Sequence, residues 1–251
     1  MKKVLSGAMA LAFLTLLSAC AAGDGTATLS FANAADARSF FTASPAHRFA
    51  SLGSLRATAA PTVFQMKLIA AYVTADIDPV TQNNTGMTSM IYLNSECESD
   101  IMHCDISGGN AEDGQPMSKV ITTYFDFNQT SAAVNTALNA QSRSITAGTY
   151  KYARLEFCKY NNENANNIKW ADGTQVPTGT PQEFKRNSCT VNSSVFDPPI
   201  VVAAGGSLAV TLTYDLSASI SDGAGCTGDD SAGTGGSKVC FTMPTFVPSA
   251  M

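Results

Sequence analysis

The chain has 251 residues, 45% hydrophobic and only 14% charged, with a net charge of −5. An acidic balance argues against nucleic acid, whose binding relies on Lys and Arg neutralising phosphates. It argues equally against a purely electrostatic hold on anionic lipid.

The first element is an export signal. Met1-Lys2-Lys3 is a short positive start, and an almost unbroken apolar run follows from Val4 to Leu17. That run is too short to cross a bilayer as a helix, which takes about 20 residues. A charged start, a short apolar stretch and a small-residue exit define a cleavable signal over residues 1–19. The exit, Leu17-Ser18-Ala19-Cys20, resembles the lipobox of bacterial lipoproteins. The resemblance implies that Cys20 becomes the mature amino terminus and carries acyl chains, palmitate among them. Two or more chains anchor stably where one binds only marginally. In Gram-negative members of that family, a residue other than Asp after the cysteine directs the protein to the outer membrane, and Ala21 stands there. The alternative is an ordinary cleaved signal that happens to contain a cysteine.

Residues 20–60 read as the lipidated terminus and a tether rich in Ala, Ser, Thr and Gly, with a short helix within "AADARSFF". Residues 61–251 read as a single domain, and with −8 of the charge it is the acidic part of the chain. "TVFQMKLIAAYVTADID" reads as one long strand whose apolar parity changes between Leu68 and Ile69, predicting a bulge or twist. "SMIYLN", "SKVITTYFDF", "TYKYARLEFCKY", "PPIVVAAGG" and "SLAVTLTYDLSASI" predict further strands. In the last, Leu208, Val210, Leu212 and Tyr214 alternate with small polar neighbours, the pattern of a half-buried strand. One helix is predicted in "NQTSAAVNTALNAQ", capped by Asn128, with Ala133, Val134, Ala137 and Leu138 on one face. Short strands joined by turn-rich connections predict a mainly β fold, an antiparallel sandwich braced by disulfides, with this helix as a crossover or lid. "ITAGTYKYARLEF" and "IVVAAGGSLAVTLTYDLS" resemble pieces of transthyretin-like β-sandwich domains in secreted proteins and uncharacterised bacterial lipoproteins. That resemblance implies a transthyretin or immunoglobulin-like fold and carries no catalytic motif.

With Cys20 set aside, Cys97, Cys104, Cys158, Cys189, Cys226 and Cys240 form an even set, as expected for disulfides in an exported chain. Six cysteines allow 15 connectivities; nearness along the chain suggests 97–104, 158–189 and 226–240. The competing use of "CESDIMHC" is a zinc site from Cys97, His103 and Cys104, without the paired C-x-x-C ligands such sites favour.

Chemistry-bearing motifs are few. There is no G-x-S-x-G, P-loop, dinucleotide fingerprint or H-E-x-x-H, and the only histidines are His47 and His103. Asp/Gly-rich stretches holding Asp105, Asp113, Asp229 and Asp230 have the oxygen-rich composition that suits Ca²⁺, and equally the composition of turns. "KYNNENANNIKWADG" sets Tyr160, Asn162, Asn164, Asn166 and Trp170 together, amides beside aromatic plates that would suit a saccharide or another small ligand. The same run also reads as a solvated loop with one core tryptophan. The expectation is therefore a non-catalytic, lipid-anchored envelope protein with a structural, adhesive or scaffold role. A ligand- or carbohydrate-binding module, assisted by Ca²⁺ or not, stands second and a carboxylate-based hydrolase a distant third.

Overall fold

The computed structural model describes residues 23–39, 61–81, 83–158, 166–171, 182–185, 190–217, 220–222, 231–232, 239–241 and 244–251. The described chain is mainly β. In order, its first strands are β1 (Gly25–Asn33), β2 (Val63–Met66), β3 (Ala70–Ile77), β4 (Asn84–Leu93), β5 (Cys104–Asp105), β6 (Lys119–Val120), β7 (Phe125–Asp126) and β8 (Arg143–Ile145). They continue with β9 (Gly148–Glu156), β10 (Asn166–Ala171), β11 (Gln182–Lys185), β12 (Thr190–Val202), β13 (Ser207–Tyr214), β14 (Ile220–Asp222), β15 (Ser231–Ala232), β16 (Val239–Phe241) and β17 (Val247–Ala250). Two short helices, α1 (Ala34–Ser39) and α2 (Ser131–Leu138), complete the set.

One four-stranded sheet has the order β17-β13-β1-β8, and a second has the order β12-β9-β3-β4. The second is antiparallel throughout, whereas in the first β1 and β13 run parallel, Thr26 opposite Ser207 through Asn33 opposite Tyr214. The alternation predicted for β13 is observed: Leu208, Val210, Leu212 and Tyr214 are buried, and the residues between them are not. They share one core with Ala27, Leu29 and Phe31 of β1 and with Val73, Ile91, Tyr150 and Leu155 of the second sheet. Burying each large apolar chain stabilises the fold by roughly 1.5–3 kcal/mol. Phe127 lies at the aromatic centre, edge-on to Phe31 at 5.0 Å and to Tyr214 at 5.4 Å.

The tether expected over 20–60 does not hold for its first part. Residues 25–33 are a central strand, flanked by β13 and β8, and alternate residues of "GTATLSF" are buried. The Ala, Ser, Thr and Gly of this stretch read as a flexible linker, but alternation of Ala27, Leu29 and Phe31 is a strand pattern. The helix expected in "AADARSFF" is present as α1. Residues 40–60 lie outside the described residues.

The predicted long strand is two strands in different sheets. β2 joins a third sheet, ordered β11-β10-β2-β7, and β3 joins the second, so the parity change is a switch of partner and not a bulge. Leu68, Ile69, Ala70 and Ala71 are all buried at the crossing, which alternation cannot describe. "SKVITTYFDF" is likewise broken, into β6 and β7, each of two residues. Helix α2 is capped by Thr130, whose side chain accepts from the Ala133 amide, and not by Asn128. The Asn128 amide instead donates to Asp126, and its side chain donates to the Thr62 carbonyl. Val134 and Leu138 are the buried pair on α2, four residues apart; Ala133 and Ala137 face solvent.

Two local devices fix the second sheet. The Tyr150 hydroxyl donates to the Thr146 carbonyl four residues back, at 2.6 Å, and lies 2.8 Å from Ser89 Oγ. On the outer strand β12, Pro198 and Pro199 supply no amide donors, and pairing with β9 is interrupted between Val195 and Ile200.

Candidate functional site

The densest group of polar and chemically distinctive residues is a disulfide-braced module at the Ala70 end of β3. Leu93 closes β4 there, and Asn94 turns the chain: its side chain donates to the Leu68 carbonyl and accepts from the Glu96 amide. A short 3-10 turn over Ser95–Cys97 follows. Cys97 is bonded to Cys104, with 5.4 Å between their α-carbons, closing a small loop. Both cysteines are buried in a second apolar cluster with Ile69, Ala70, Leu93, Ile106, Ile121 and Cys158. After the loop, β5 runs parallel to β6, and Ser118 and Lys119 both donate their amides to the His103 carbonyl. The first expected pairing is thus observed. Cys158 is also disulfide-bonded, while Cys189, Cys226 and Cys240 fall where no side chain is described. The zinc alternative fails at its first step, since the bond consumes the thiols of Cys97 and Cys104.

His103 lies on the rim of this module between two carboxylates. Its Nδ1 is 2.8 Å from Asp100 Oδ2, and its Nε2 is 3.0 Å from Asp113 Oδ2. Only the imidazolium can donate from both nitrogens at once. The contacts with Asp113 and Asp100 accordingly raise the His103 pKa above its ordinary value. His103 in turn holds the Asp100 carboxyl low, and Asp113 is lowered first by the Gln115 amide and then by His103. Ser118 Oγ donates to Asp100 Oδ2 at 3.0 Å, so it addresses the acid and not the imidazole. The order is Ser–Asp–His–Asp: the hydroxyl faces a carboxylate and not the imidazole, and each imidazole nitrogen faces a carboxylate.

Two further acids tie the module down. Glu96 accepts from the amides of Thr122 and Thr123 and from the Thr122 hydroxyl, at 3.1–3.2 Å. Partial burial would raise its carboxyl, but these hydrogen bonds outweigh that and hold it below the ordinary value. Glu98 pairs with Arg143 on β8, joining the module to the first sheet. These contacts carried no sequence signal, because the partners lie 26 to 45 residues apart.

Of the expected calcium ligands, Asp105 and Asp113 lie among the described residues, each engaged within the protein. Asp105 is fully buried, with one carboxylate oxygen accepting from the Ile106 amide, and Asp113 is engaged as above. Asp229 and Asp230 lie outside the described residues. No cluster of three or more His, Cys, Asp or Glu is arranged to hold a metal among the described residues. Of the ligand-binding set, Tyr160, Asn162 and Asn164 lie outside the described residues. Asn166 and Trp170 are in β10, with Trp170 opposite Phe64 of β2 and Gln182 of β11. That part of the asparagine-rich run is therefore sheet and not loop. Cys20 lies outside the described residues, and no described helix is long and apolar enough to cross a membrane. Comparison of the chain with known protein families, curated proteins and solved structures gave no match.

Proposed function

We propose that the chain is a lipid-anchored envelope protein, held at Cys20, whose disulfide-braced β-sandwich has a structural, adhesive or scaffold role and performs no catalysis. The observation that carries this reading is the buried Cys97–Cys104 bond, a covalent brace that persists in an oxidising compartment such as the periplasm. It accords with the signal and lipobox pattern of residues 1–20. Two four-stranded sheets around one core support a sandwich of the transthyretin or immunoglobulin-like type. So does the Tyr150–Thr146 bond, which has the form of the tyrosine corner of Greek-key sandwiches.

A non-catalytic role is supported by the way the one described histidine is used. Both nitrogens of His103 are taken up by carboxylates, and Ser118 is directed to Asp100. The prolines of β12 deprive that edge of donors, which disfavours assembly through strand addition at β12 and favours contact through side chains. The test is export in a bacterial host fed an alkynyl fatty acid, followed by membrane flotation. The full chain takes up the label and floats with membranes, and Cys20→Ser abolishes both. Label-free, soluble full-length protein would refute the reading.

A further inference from the structure

We propose that the domain rests on the lipid surface by the end at which β1 begins, with Val80 and Val201 as its apolar contacts and the disulfide module held away. This rests on acylation of Cys20, and what it adds is an orientation and a lipid-contacting face. The first support is the length of the link. The Gly205 amide donates to the Gly23 carbonyl at 3.2 Å, so the chain is already fixed to the domain at Gly23. Three residue steps separate Gly23 from Cys20, a reach of at most roughly 11 Å when extended. Gly25 is equally confined, since a Cβ there would lie 2.8 Å from Val202 Cγ1 and 2.9 Å from the Gly206 carbonyl. A core strand starting so close to an acylated residue leaves the domain little freedom to turn its other end to the bilayer.

The second support is what this end displays. Val202 lies opposite Gly148, and the link between Ile77 and Asn84 projects past the same end of the second sheet. The three most exposed large apolar side chains described are Met251 at 93%, Val80 at 88% and Val201 at 73%. They come from three separate segments, and all lie at this end; Met251 is bonded through its backbone to Ala209, beside the start of β13. Pro79, Ala203 and Ala204 are exposed beside them.

Charge says which feature of the surface is read. The acids here are individually occupied: Asp78 by the amides of Val80 and Thr81, Asp76 by Lys151 at 3.7 Å, and Asp24 by Ser144 Oγ. Among the described residues no basic cluster accompanies them, so the contact is with the apolar interface and not with anionic headgroups, and neutral lipid suffices. Two valine tips would hold a free domain weakly. Covalent attachment supplies the high local concentration that makes such a contact persist. The opposite end of β3, about 25 Å away, carries Asp100 and Asp113, while Glu98 reaches back to Arg143 on β8.

The experiment uses the full chain, purified from membranes and reconstituted into neutral phosphatidylcholine vesicles. An environment-sensitive fluorescent amino acid is placed at position 80, 201 or 112, and a spin-labelled lipid near the headgroup serves as quencher. Quenching at 80 and 201 should exceed that at 112 by about threefold, as expected for side chains entering the headgroup boundary. In a Val201→Glu background, the probe at 80 should lose that excess while flotation persists. Equal quenching at all three positions in protein that floats overturns the orientation and leaves the anchor standing. Energy transfer between labelled copies at position 80 without lipid quenching overturns it in favour of a second copy as occupant. Failure to float, with an unmodified Cys20 by mass, overturns both.

Discussion

Phe127, in the main core, is enclosed by the rings of Phe31, Phe64, Tyr214 and Phe246, all within 6.2 Å centre to centre. Cys97, in the disulfide module, is enclosed by Ile69, Leu93, Ile106 and Ile121, with a covalent bond in place of large side chains. The main core draws on three sheets and a helix, so its contacts join segments far apart in the chain. The module has two strands of two residues and could not bury enough apolar area to order itself by burial alone. Crosslinking and charged hydrogen bonds replace that missing area. The comparison teaches that damage to the first region should unfold the domain, whereas damage to the second should loosen one pole.

Phe127→Ala gives the largest effect, since it empties a site shared by the first and third sheets at the centre of the main core. A loss of about 3–5 kcal/mol is expected, read as a lower urea midpoint with amides of both sheets exposed together. Protection lost only near Phe127 would break the distinction. Next comes the double change Cys97→Ala with Cys104→Ala, which frees a short loop at a cost of about 2–3 kcal/mol. Amide exchange should accelerate over residues 94–123, while the amides of Val210 and Leu212 keep their protection. Global acceleration would show that the module and core unfold as one.

Tyr150→Phe keeps the ring and removes the hydroxyl that serves Thr146 and Ser89. It should cost about 1 kcal/mol by equilibrium unfolding, and Ser89→Ala should cost less in that background than alone, since only its bond from the Thr146 amide is then left to lose. Full additivity of the two would mean that the hydroxyls act separately.

The smallest effect is a pH window in the module. His103 has a folded pKa raised above 6.5, so its contribution is complete below 6.5 and is lost as pH rises through the raised value. Asp100 and Asp113 have folded pKa values lowered from 3.8. Their contribution is complete above 3.8 and is lost as pH falls through the lowered values. Exchange protection of the Ser118 and Lys119 amides should therefore be greatest between roughly pH 4 and 6.5. His103→Asn should flatten the alkaline side of that window, and an NMR titration placing His103 below 6.5 would contradict it.

Much of the main core was legible from local pattern. The alternation in "SLAVTLTY" reports a strand with one buried face, whereas "GTYKYARLE" is a strand that alternates only in part, with Ala153, Arg154 and Leu155 buried in succession. Alternation fails where a segment changes sheets, as at Leu68–Ala71, because both faces are then covered. β1 was hidden by its small residues, whose burial depends on β13, some 180 positions further on. The asparagine-rich run concealed β10 because amide side chains say nothing of the strand that pairs with them. In the module, nearness along the chain was enough to suggest the 97–104 bond. The clasp of His103 by Asp100 and Asp113 was not legible, since it depends on a return of the chain that only the folded β5–β6 pair produces.

The most direct test of the account as a whole is a non-reducing peptide map, by mass, of the protein purified from membranes. The account predicts an amino-terminal peptide that begins at Cys20 and carries a diacylglyceryl group with a further acyl chain, together with a crosslinked peptide joining Cys97 to Cys104. An unmodified Cys20 within a longer peptide, with Cys97 and Cys104 recovered as free thiols, would contradict it.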